Sequence, residues 1–150
     1  MNSLEKALRT VRSQMRFEVA LAAARVSEAA DATDHAHSRV NALTQQCADI
    51  DKELRRATQQ PSIDPAPLAM IQNFLQFELR SLERWQKQLE AAKEFEYESR
   101  AELARLRHHD RSLEGAVKKA HGAQESERRK DDFIAADDLW LQHSSRVLVL

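Results

Sequence analysis

Glycine, proline, cysteine and aromatic residues are all scarce in this sequence of 150 residues. Its two glycines, Gly115 and Gly122, cannot build a phosphate-cradling loop or a dinucleotide-binding turn. The single cysteine, Cys47, allows no intrachain disulfide and reads as a small buried hydrophobe of a reducing compartment. Aromatics at 5% and a mean hydropathy of −0.64 argue against a thick multilayer core. No run approaches the ~18–20 apolar residues of a membrane span. Arg25 also cuts the apolar run 19–24 short of a signal peptide's h-region of ~7–15 residues. A net charge of −1 gives no drive toward nucleic acid or an acidic membrane. His35 and His37 fall on different helix faces, as do His108 and His109, and no histidine stands at i, i+4 from another or from cysteine. The sequence therefore offers no metal site. Without a nucleophile–base pair or a concave pocket, the expectation is a non-enzymatic protein with no cofactor.

What the sequence has in abundance is helical periodicity. Charged residues make up 31%, and one apolar ladder reads Leu4, Leu8, Val11, Met15, Val19, Ala22, Val26, Ala29, Thr33, Ala36, Val40, Leu43, Cys47, Ile50, Leu54. Its steps alternate three and four, apart from a doubled four at Val11–Met15–Val19 that would locally relax supercoiling. A second ladder runs Leu68, Ile71, Leu75, Leu82, Trp85, Leu89, Ala92, Leu103, Leu106, Leu113, Val117, Ala120. Glu78, Glu96, Ser99 and Asp110 carry its step where apolar residues are missing. A seam this narrow buries one stripe of a long helix against another helix and little else.

All three prolines, Pro61, Pro65 and Pro67, separate the ladders. Asn2 or Ser3 can cap the first helix, with Glu5 placed three after Asn2 as in a capping box. Asp64 followed by Pro65 is a start signal for the second. The fold expected is all-α: a long antiparallel two-helix coiled-coil hairpin with a C-terminal overhang. Helix 1 takes 1–58, a proline-rich turn 59–66, the paired part of helix 2 67–122, and the overhang 123–150, as a single helix or a disordered tail. A helix of about 55 residues rises ~80 Å. Numbers of facing residues should add to roughly 123, give or take a turn, placing Leu4 opposite about Lys119. Gly122 then falls where helix 1 runs out, a suitable place for a weak helix former.

Two surfaces stand apart from the seam. Phe74, Phe77 and Ser81 lie to one side of it with Trp85 at its edge, and by rotation of ~100° per residue Phe77 points well away. Trp is a favoured interface anchor. Near the N-terminus Lys6, Arg9, Arg12 and Arg16 face only Glu5, whereas from Glu18 to Asp51 two arginines face six acids. A basic open end and an aromatic closed end suit a connector of two partners.

The opening Leu4-Glu5-Lys6-Ala7-Leu8-Arg9-Thr10-Val11-Arg12 is similar to the start of FliJ-like stalk proteins of type III export machines. The stretch from Phe74-Leu75-Gln76 to Trp85-Gln86-Lys87-Gln88-Leu89 resembles the start of their second helix, and Glu127-Arg128-Arg129-Lys130-Asp131-Asp132-Phe133 their closing basic–acidic–aromatic signature. The resemblance covers nearly the whole chain. It implies a coiled-coil hairpin similar to a rotary-ATPase shaft, cytoplasmic at the base of the secretion apparatus. Such a stalk sits in the pore of a hexameric export ATPase and reaches the cytoplasmic domain of the export gate, and some members bind export chaperones. The resemblance places the gate surface at Phe74, Ser81 and Trp85, to which the outward-pointing Phe77 is added by its position on the helix; the basic open end, Arg9, Arg12 and Arg16 with Arg128, Arg129 and Lys130, is expected to meet the ATPase. Glu78 and Trp85 stand where the flagellar branch has aliphatic and imidazole side chains, a departure toward the injectisome branch. The alternative is a homodimeric coiled-coil scaffold or adaptor in which one long helix pairs with its copy; the proline cluster opposes it. An effector-binding chaperone would need a broader groove.

Overall fold

The computed structural model describes residues 2–61 and 64–148, with the side chain of Leu148 excepted. Ser62 and Ile63 of the expected turn, and Val149 and Leu150 of the terminal apolar run, lie outside the described residues. The fold is an all-α two-helix hairpin: α1 spans Ser3–Thr58 and α2 spans Pro65–Leu148. Asn2 caps α1, its Oδ1 accepting from the Glu5 amide at 2.7 Å. Arg55 and Arg56 in the last turn of α1 complement the negative end of the helix dipole. Asp64 caps α2 by accepting from the Ala66 amide at 3.2 Å, and Pro65 takes the first helical position. Helical geometry continues through 123–148, with neither glycine at positive φ.

The residues withdrawn from water follow a stricter period than the apolar residues do. On α1 they run Glu5, Leu8, Arg12, Met15, Val19, Ala22, Val26 and onward, alternating three and four without a break to Ala57. The doubled four is therefore absent, which corrects the phase expected near the N-terminus. Leu4, 60% exposed, and Val11 leave the seam, and Glu5 and Arg12 replace them. On α2 the same alternation runs from Leu68 to Gln124 through Glu78, Glu96, Ser99 and Asp110. A full heptad period needs no stutter, and polar side chains keep it wherever they find partners across the seam.

Contacts divide the chain into two compact units. One joins the residues up to Ala20 to those from Ala104 onward; the other is Leu21–Leu103. Within the first, Glu5 faces His121 and Gln124, and Arg12 faces Asp110 and Glu114. Within the second, Ala22, Ala29 and Ala36 are buried small residues on one helix, and Leu43, Leu89 and Leu103 are its best-buried leucines. Trp85 faces His35 and Arg39, and Cys47 lies near Glu78. Numbers of such facing residues add to between 120 and 129, a register that brackets and slightly exceeds the expected one.

Candidate functional site

In the unit formed by 21–103, α2 carries an exposed apolar stripe. Phe74 and Phe77 are 53% and 59% exposed, and Met70, one turn earlier, extends the stripe at the same three–four spacing. Met70 escaped the sequence reading although that spacing marks it. Ser81 and Trp85 are half-buried. Trp85 occupies the seam itself: the His35 ring meets it edge-on at 5.5 Å between centroids, and the Arg39 guanidinium lies 5.5 Å from its ring centre. Part of this indole is therefore committed to α1 through a cation–π contact. The structure thus brings Phe74 and Phe77 together with Met70 as free surface, and assigns Trp85 a packing role as well.

In the other unit the sequence-distant basic residues converge. Arg9 and Arg128 line one cleft of about 310 Å³ with Glu5, His121, Gln124 and Glu125. Arg9 donates through Nε and Nη2 to Glu5 Oε1 at 3.2 and 3.0 Å, and His121 Nδ1 lies 3.2 Å from the same oxygen. The Gln124 amide, oriented to suit its neighbours, donates to Glu5 Oε2 at 2.6 Å while its oxygen accepts from the Asn2 amide at 3.3 Å. Only half of the capping box therefore forms. Glu5 turns into the seam instead of back to Asn2, and Gln124 supplies the missing acceptor. Glu5 is 1% exposed, covered by close neighbours rather than by depth of protein. Burial alone would raise its pKa. Hydrogen bonds and charge from Arg9 and His121 outweigh that and hold the carboxyl below its ordinary value.

Arg12 lies inside the seam, its Nε 3.6 Å from Asp110 Oδ1 and its Nη2 3.5 Å from Glu114 Oε2. Those distances make ion pairs; neither Arg12 Nε nor Asp110 Oδ1 gains a hydrogen bond. Arg12 is thus turned inward and little of it is offered to a partner. Arg16 is exposed and, with Arg9, Arg12, Ser13 and Val117, lines a shallow hollow of about 180 Å³. Arg128, Arg129 and Lys130 are exposed on α2.

Two further polar positions punctuate the seam of the 21–103 unit. Hydrogen bonds from Arg100, with help from the Thr33 hydroxyl on α1, hold the Glu96 carboxyl below its ordinary value. Burial, and the charge of Glu78, push the Cys47 thiol up from its ordinary value. Among the described residues no group of three or more His, Cys, Asp or Glu side chains could hold a metal ion, and no helix is long and apolar enough to cross a membrane. No family model, curated protein or solved structure matches this chain.

Proposed function

We propose that this chain is the non-enzymatic central stalk of a type III secretion ATPase complex, linking the hexameric ATPase to the export gate. The observation that carries this reading is the Met70–Phe74–Phe77 stripe. The seam is complete without these side chains, so their exposure has no use within the hairpin. The gate is the partner assigned to that stripe. The ATPase is assigned to the basic set of the other unit, led by Arg16, Arg128, Arg129 and Lys130, with Arg9 at the cleft. The resemblance of the opening, second-helix and closing segments to FliJ-like stalk proteins supports both assignments. The pairing of α1 with α2 supports this reading over the continuous homodimeric rod, which needs α1 to pair with a second copy.

Binding of the purified chain to each partner separately tests the division. Phe77→Ala should weaken gate binding by about 2 kcal/mol, as for an interface anchor, and leave ATPase binding and melting unchanged. Arg16→Glu with Arg128→Glu should weaken ATPase binding most at low salt, since rim charges act through steering. If each change impairs both partners equally, the two-partner assignment fails.

A further inference from the structure

Beyond Gln124 the seam ends, because α1 begins at Ser3 and the facing register gives it nothing further to cover. α2 nevertheless continues to Leu148. An unsupported helical segment of this length is marginal in water, and helices in proteins draw most of their stability from packing an apolar face. This segment has such a face. Phe133, Trp140 and Val147 recur every seven residues, and Ile134 and Leu141 form a second line one residue on. All five are exposed, Trp140 by 65%. Between the two lines lie Asp137 and Ser144, both small, the first exposed and the second half-covered.

We propose that this face binds the same face of a second copy of the chain, antiparallel, closing a dimer through residues 130–148. The antiparallel direction brings the two bulkiest rings onto the two small polar positions. If facing numbers add to about 277, bulky Phe133 meets Ser144 of the second copy, and Trp140 meets Asp137, in the manner of knobs entering holes. The Trp140 indole N–H then has the Asp137 carboxylate as an acceptor, and Asp131 stands beside Arg146. Each of these pairs occurs twice by symmetry. A parallel pairing in register instead sets Asp137 against Asp137 and Phe133 against Phe133, and like charges juxtaposed at an interface oppose it. The five apolar side chains expose roughly 600 Å² per copy, so their complete covering in the pair would bury up to about 1,200 Å², the lower bound for a stable specific interface. An interface of this size stands at the weak, reversible end of specific ones, and it shares Lys130 with the basic set assigned to the ATPase.

Sedimentation equilibrium of the full chain tests this, over about 1 to 300 µM, the range of weak reversible association. The weight-average mass should rise from one chain toward two, and Trp140→Glu should stay at one chain throughout, with a melting curve unchanged at concentrations where the parent is a single chain. In a Cys47→Ser background, a Phe133→Cys chain mixed with a Ser144→Cys chain should form a mixed disulfide on mild oxidation, and the Phe133→Cys chain alone should not crosslink to itself. A mass of one chain at every concentration overturns the proposal. So does a dimer that survives Trp140→Glu, or self-crosslinking of Phe133→Cys, which reports a parallel pair. A chain that stays single yet loses ATPase binding on Trp140→Glu assigns the face to that protein instead, and equally overturns the dimer.

Discussion

Replacing Leu43 by aspartate probes the seam at one of its driest points. Leu43 is 3% exposed, and removing a leucine side chain from water to that extent contributes about 1.5–3 kcal/mol. Leu43→Ala should therefore cost about 2–3 kcal/mol, toward the low end of core truncations because a two-helix interface can close partly over the gap. Leu43→Asp loses the same burial and adds a carboxylate without a partner, so roughly 3 kcal/mol or more is expected. Asn41 is two residues away on the exposed surface of the same helix, and Asn41→Asp should change stability by no more than about 0.5 kcal/mol. Urea unfolding followed by circular dichroism at the helical minimum reads all three, provided the slope of the transition is unchanged. Equal midpoints for Leu43→Asp and Asn41→Asp would show that the seam is wrongly phased, and the reasoning about every facing pair would fall with it.

The corrected register near the N-terminus has its own test: Val11→Ala should cost no more than about 0.5 kcal/mol beyond helix propensity, whereas Met15→Ala in the seam should cost about 2 kcal/mol. Acid titration tests the seam carboxylates Glu5 and Glu96. The folded pKa of Glu5 and of Glu96 lies below the ordinary 4.5, so their contribution is fully present above pH 4.5 and is lost as pH falls through the folded values. Glu5→Gln should lower the melting temperature at neutral pH, and its gap from the parent chain should shrink below about pH 4.5; a gap independent of pH would refute the ion-paired reading. A Cβ at Gly115 or Gly122 would meet nothing within 4 Å, so Gly115→Ala and Gly122→Ala should each raise stability by up to about 1 kcal/mol through helix propensity alone.

The hairpin was legible because two ladders of one period flank a cluster of three prolines, and Asp64-Pro65 marks the second start in purely local terms. Phe77 was legible too, since a fixed rotation per residue carries it away from Leu75 and Leu82. The phase at the N-terminus was not. Counting apolar residues selects Leu4 and Val11, whereas the fold selects Glu5 and Arg12, whose partners His121, Gln124, Asp110 and Glu114 lie about a hundred residues away in the chain. Local pattern contains no information about those partners. For the same reason Arg12 read as a free surface cation and His35 as a solvated one, when each packs against α2.

The native cysteine provides the most direct test of the fold on which the whole account rests. Cys47 on α1 and Glu78 on α2 both occupy the seam at positions the facing register pairs, so the single change Glu78→Cys places a second thiol across it. Oxidised at sub-saturating protein concentration, this variant should form a disulfide within one chain, seen as a faster-migrating monomer on a non-reducing gel and as a linked peptide pair by mass spectrometry. Disulfides that form only between chains, and vanish on dilution, would contradict the intrachain hairpin.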